Sequence, residues 1–129
     1  VSPAWERAIR GGDVETVRAM LANGADVDAR DRHGQTALMI AAHHGHRDLV
    51  QTLVDAGAAL NTTAKYHLTA LMLAIIGGHA LIARALIDAG ADLDVRGSGA
   101  PGFAGKTAYD LAVHYQMTEL YAALTRERS

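Results

Sequence analysis

The chain has 129 residues, 50% of them hydrophobic and 20% charged, and carries a formal charge of −2 at pH 7. That balance describes one folded domain with a core of its own, and it lacks the dense positive charge on which general polynucleotide binding rests. With no cysteine in the sequence, a disulfide framework and thiol chemistry are excluded, which fits a reducing compartment.

In chain order, the opening Val1-Ser2-Pro3-Ala4-Trp5-Glu6 has neither the basic start nor the apolar run of a secretion leader. A cytoplasmic protein is expected, and a leader trimmed with the initiator Met leaves the periplasm or secretion open. A helix carrying Trp5 and Ala8 runs to Gly12, and a second carrying Met20 and Leu21 runs to Gly24. The same grammar then returns at a fixed interval of 33 residues: Gly12, Gly45 and Gly78 form one column, Gly24, Gly57 and Gly90 another. Such a period marks a stacked array in which no unit buries its apolar face without a neighbour.

The repeat from Asp31 shows the unit whole: a turn through Gly34, a helix from Thr36 to Gly45, and a second helix ending at Gly57. Thr36 is placed to cap the first helix through its hydroxyl, and the glycines supply left-handed residues after helix ends. Trp5, Leu38 and Leu71 share one core column, with Tyr109 equivalent after a length change. Met20, Leu53 and Leu86 share another, and Leu21, Val54 and Ile87 the next. Ala8, Ala41, Ala74 and Ala112 fall where a small side chain lets helices approach to about 8 to 10 Å. The longest apolar run, Ala70 to Ile76, is far below the roughly 18 residues of a membrane helix, so no membrane contact is expected.

The run Gly34-Gln-Thr-Ala-Leu-Met-Ile-Ala-Ala, then Gly45-His46 and Gly57-Ala58, resembles the ankyrin repeat. Gly24-Ala25-Asp26-Val27-Asp28 and Gly90-Ala91-Asp92-Leu93-Asp94 look like its closing motif. The resemblance implies an all-α ankyrin-repeat solenoid of about four helix-turn-helix repeats with extended finger loops. The chain is then a single domain, 1–129, with repeats at about 1–30, 31–63, 64–96 and 97–129. The family's Thr-Pro-Leu-His opening is here Thr36-Ala37-Leu38-Met39, Thr69-Ala70-Leu71-Met72 and Thr107-Ala108-Tyr109-Asp110, without its proline or its tethering histidine. His67 stands where the turn glycine is expected, and histidine is among the residues that tolerate positive φ.

Chemical motifs are weaker than the repeat. Gly99-Ala100-Pro101-Gly102-Phe103-Ala104-Gly105-Lys106-Thr107 resembles a phosphate-binding loop, but with four residues between it and Gly105 the first position is Ala100, and Gly99 lies one position too far. Thr107 already has a role as the cap matching Thr36 and Thr69. His43 and His44 project about 100° apart and cannot share one helix face, while His46 repeats as His79, so no metal and no other cofactor is expected. Asp26, Asp28, Asp92 and Asp94 recur as turn residues. No acid, histidine and serine converge, so no enzyme is expected. Asn61-Thr62-Thr63 reads as an Asx turn, and Met39 and Met72 read as packing.

What differs between repeats is the surface. In proteins similar to this one, partners bind the concave side formed by finger tips and first helices. That resemblance points to Arg10, Arg32, His33, Gln35, His43, His44, Lys65, Tyr66, Leu68, Ile76, Phe103, His114 and Tyr115. The set is basic and aromatic, whereas Glu15, Asp48, Asp55 and Asp88 fall in second helices. The expected function is non-enzymatic binding of another protein with an acidic patch, by a monomer. The alternative is a small-ligand or phosphate-binding protein using the Gly-rich segment 97–106. Five extra residues lie between Thr69 and Thr107 relative to the preceding interval, and Gly97 to Gly105 is expected to be a mobile, dispensable loop. Phe103 in it either anchors a partner or folds back.

Overall fold

The protein is described by a computed structural model covering residues 2–125. Its described helices pair as hairpins: α1 (Pro3–Arg10) with α2 (Val14–Ala22), and α3 (Ala37–His44) with α4 (Arg47–Asp55). α5 (Ala70–Ile76) pairs with α6 (Ala80–Asp88), and α7 (Ala108–His114) with the short α8 (Tyr121–Thr125). Successive first helices pack α1 on α3, α3 on α5 and α5 on α7, and second helices pack α2 on α4, α4 on α6 and α6 on α8. The fold is therefore an all-α repeat stack, with the core between the two helical layers.

The starts of the helices follow from their caps. Ser2 accepts the amide of Trp5 ahead of Pro3, and Asp13 accepts that of Thr16. Thr36, Thr69 and Thr107 are buried, and each hydroxyl accepts an amide three residues on. At Thr107 the arrangement closes into a capping box, its own amide donating to Asp110 Oδ2 at 3.0 Å. Those bonds with Thr107 hold the Asp110 carboxyl below the usual range.

The core columns pack as the 33-residue period requires. Leu38, Leu71, Leu53 and Leu86 are shut off from solvent, and Ala41, Ala74 and Ala112 are fully buried where the layers approach. Met39 and Met72 lie in the same core. Tyr109 is a correction: it is only half-buried and tilts against Tyr121, with ring centroids 5.7 Å apart. A phenol keeps its polar end wet, so the column loosens there.

Two histidines stitch consecutive hairpins. His46, at the start of α4, donates from Nε2 to the carbonyl of Arg10 at 2.7 Å, and His79, at the start of α6, donates to that of His43 at 3.1 Å. The His79 ring takes the space beside Gly45, where a Cβ would come within 2.6 Å of it and where φ is +83°. Glycine is required there on both counts. In the last hairpin Met117 stands at the equivalent position and packs in the core.

Between hairpins the chain forms finger turns, each closed by the same pair of bonds. Asp31 donates to the Gln35 carbonyl and Gly34 to the Asp31 carbonyl; Ala64 and His67 repeat this with Leu68 and Ala64. Neighbouring fingers are tied by Ala59 donating to Asp28 Oδ1 and Asp92 donating to Asn61 Oδ1. Asn61 is therefore a bridge between repeats rather than the local turn expected from its motif. Asp26 and Asp92 do cap local turns, at Asp28 and Asp94.

The segment 97–105 differs from its expectation as an open, mobile loop. Gly97 donates to the Lys106 carbonyl and Gly105 to the Gly97 carbonyl, both at 2.9 Å. These are the two finger bonds of the earlier repeats, kept while the extra residues are extruded between them. Phe103 folds back onto Tyr66, with ring centroids 5.5 Å apart, and Ser98 donates to the Tyr66 carbonyl at 2.7 Å.

Candidate functional site

The surface assembled from finger turns and first helices is built around the third repeat. Tyr66 and His67 both hold positive φ, +63° and +60°, in the 3₁₀ turn Lys65–His67. Such backbone is unfavourable for a residue with a Cβ and persists when its surroundings hold it. Here Ser98 grips the Tyr66 carbonyl, and His67 Nδ1 donates to the Arg96 carbonyl at 2.9 Å. The turn thus presents Tyr66 sideways to Phe103, with the Lys65 ammonium 5.0 Å from the centre of the Tyr66 ring.

Below that wall lies an open depression of about 230 Å³. Gln35, His43, Lys65, Tyr66, Leu68, Ile76 and Phe103, all expected binding residues, line it together with Ala64 and Leu73. Leu68 is buried and serves as floor rather than as an exposed contact. Leu73 was missed because its column, with Ile40 and Leu111, reads as core. Its position three residues before Ile76 on α5 was the available signal, since such residues share a helix face.

The other expected residues are elsewhere. Arg32 and His33 are exposed on the finger turn of the second repeat, and His114 and Tyr115 meet edge to face at the end of α7. Arg10 is not a free cation: its guanidinium lies 3.8 Å from Asp31, whose side chain is 3% exposed. Asp31 thus brings a carboxylate against the basic set. Asp31 Oδ1 also accepts the amides of His33 and Gln35, so its carboxylate is spent inside the finger.

His44 sits within a cluster of histidine rings. It stacks on His46 at 6.2 Å and meets His43 edge to face at 5.8 Å. Partial burial, and then the positive charges of His43, Arg10, His46 and His79, hold its ring below the usual histidine range. His44 is consequently a poorer cation than an isolated histidine. Among the described residues no group of three or more His, Asp or Glu could hold a metal ion.

The Gly-rich segment has few of the free amides that a phosphate cradle uses. The backbone N–H groups of residues 97, 98, 100 and 103–106 are already bonded to protein carbonyls. At the start of α7, Thr107 donates to the Asp110 carboxylate, which puts negative charge where a phosphate would sit.

A larger hollow of about 420 Å³ lies at the far end, beside Trp5, Met20 and Ala25. Leu53, Leu86 and Leu124, equivalent to Met20, are at most 1% exposed, whereas Met20 is half-exposed beside this hollow. No described helix is long and apolar enough to cross a membrane.

The family profile described as ankyrin repeats (3 copies) matches residues 5–97. Two proteins of Rickettsia felis named as ankyrin repeat proteins are each 43% identical over 44 residues. The shared stretch is 34% of this chain and 70% and 67% of those relatives.

Proposed function

Since this chain belongs to the ankyrin-repeat family, we propose that it is a non-enzymatic protein-binding module that holds its partner on the face of finger turns and first helices. Repeats of this family are generally protein-interaction modules. The observation that carries the choice of face is the convergence of seven unlike side chains around one depression, aromatic, aliphatic and basic together. Interface anchors draw on that mixture. The second helices carry both signs, Glu15 beside Arg18 and Asp88 beside Arg84.

The proposed partner is a protein with an acidic patch, met by a monomer in the cytoplasm through one array with repeats at about 1–30, 31–63, 64–96 and 97–129. Arg32, His33 and Lys65 supply the attraction, and binding weakens with salt as exposed charges are screened. The test is capture from the native host with intact protein, a Lys65→Glu/His43→Glu variant and an Arg84→Glu variant on α6. The partner is expected to be lost with the first variant and kept with the second. The reverse pattern would move the binding face to the second helices.

A further inference from the structure

Resting on that reading of the face, we propose that the depression beside Tyr66 and Phe103 is an anchor pocket for one large apolar side chain, presented by a partner segment with carboxylates on either side of it. Three observations carry this. First, the floor and wall are apolar, formed by Leu68, Leu73, Ile76, Tyr66 and Phe103, and the volume is about 230 Å³. That lies below the roughly 300 Å³ at which pockets begin to enclose drug-sized ligands. A single side chain fits the space better than a free metabolite.

Second, the pocket is specific in size to this repeat: at the equivalent place in the preceding one, beside Asp31, Gln35 and Ile40, the hollow is about 10 Å³. Lys65, Tyr66 and Leu68 replace the Arg32, His33 and Gln35 of the previous finger, and Ile76 stands between His43 and His114 in its column. The wall further depends on the extra residues of 97–105, because Phe103 and Ser98 hold Tyr66 in place. The face therefore offers one apolar socket among polar surroundings. It calls for one anchor rather than a repeating apolar stripe.

Third, the rim carries the Lys65 ammonium with no acid paired to it among the described residues. The exposed His43 lies across the opening. The nearby acid, Asp31, is engaged by Arg10 and by two amides. Carboxylates flanking the anchor complete this charge pattern, and a flanking lysine is repelled.

The test uses the whole chain and three synthetic probes: an acidic peptide with a central Trp, the same peptide with Ala at the centre, and the Trp peptide with Lys in place of its acids. The acidic Trp peptide is expected to bind and to shift the amide resonances of Lys65, Tyr66, Leu73 and Phe103. The Ala and Lys probes are expected to bind about tenfold more weakly or worse. Lys65→Glu, an exposed change that leaves the fold intact, reverses the preference between acidic and basic flanks.

Equal binding of the Trp and Ala peptides on this face overturns the anchor while leaving the face standing. Shifts confined to α2, α4 and α6 overturn both. No binding of the Trp peptide at millimolar concentration overturns the anchor. So does equal affinity for free N-acetyl-tryptophan, which makes the pocket a small-molecule site. Concentration-dependent shifts of the same resonances without peptide overturn it in favour of a second copy of the chain.

Discussion

The Nε2–H of His46 donates to the carbonyl of Arg10 at 2.7 Å, across the boundary between the first two hairpins. The bond answers an orphan carbonyl at the end of α1 with a donor from the start of α4. It also fixes the tautomer of His46 and lays its ring where a Cβ on Gly12 would stand, 2.7 Å from Nδ1. His46 and Gly12 are therefore coupled. Gly12→Ala is expected to cost about 2 kcal/mol, part from its φ of +68° and part from the ring. In a His46→Ala background the ring's share disappears, and a coupling of about 1 kcal/mol should emerge from a urea-denaturation double-mutant cycle. Strict additivity would show that the ring gives way freely.

Leu71→Ala removes a side chain that is 1% exposed between stacked first helices. The loss is expected to be about 2 to 5 kcal/mol, transfer and cavity terms together. Arg32→Ala, on an exposed finger tip, is expected to stay within about 0.5 kcal/mol. Similar urea midpoints for the two variants would contradict the assignment of helix faces.

Shortening the segment 97–105 by five residues is expected to lower the melting temperature, because the extra residues hold Tyr66 through Ser98 and Phe103. Phe103→Ala, which removes a half-buried ring, should cost about 1 kcal/mol, a few degrees for a chain of this size. Gly97→Ala is expected to be more damaging than Phe103→Ala, since a Cβ there collides with the Phe103 carbonyl. Calorimetry of the three variants decides. An unchanged melting temperature throughout would restore the segment to an independent loop.

His44 takes its proton later in the folded protein than in the unfolded chain, whose imidazole titrates near 6.5. Below that value the unfolded state binds more protons, so this contribution to stability is complete above about pH 6.5 and is lost as pH falls through the lowered folded value. The charges facing His44 are those of Arg10, His43, His46 and His79. Melting temperatures between pH 8 and pH 5 should decline less in His44→Gln than in the parent. Parallel declines would place the sensitivity elsewhere. The lowered carboxyls of Asp13 and Asp110 act further down: their stabilisation holds above the ordinary value of 3.8 and fades as pH drops below it.

The columns of Leu38, Ala41 and Leu53 were legible because a period of 33 residues aligns equivalent positions, and equivalent positions share an environment. Thr36, Thr69 and Thr107 were legible as caps for the same reason. The closure of 97–105 was not, because it runs through backbone bonds that leave no mark on side-chain pattern. Nor was the pairing of Arg10 with Asp31, which joins two repeats by three-dimensional proximity alone. Leu73 escaped by belonging to two environments at once, core by column and pocket by its place beside Ile76. Among the expected binding residues, those around Tyr66 converge because a strained turn and an inserted segment meet there, a circumstance peculiar to one repeat.

The direction of the ties between hairpins bears on how the chain matures as it is made. His46 serves Arg10, His79 serves His43, and Ser98 serves Tyr66, so in these three the donor lies downstream of the group it completes, whereas His67 and Arg30 reach forward to Arg96 and Thr63. A hairpin leaving the ribosome waits for the next to be synthesised before its last carbonyls are answered. At about 5 to 20 residues per second, a period of 33 residues makes that wait roughly 2 to 7 s. During it the newest hairpin is the soft end of a growing rod, and the strained backbone at Tyr66 sets only when the segment after Arg96 has emerged. The pocket is thus among the last features of the nascent protein to acquire its shape.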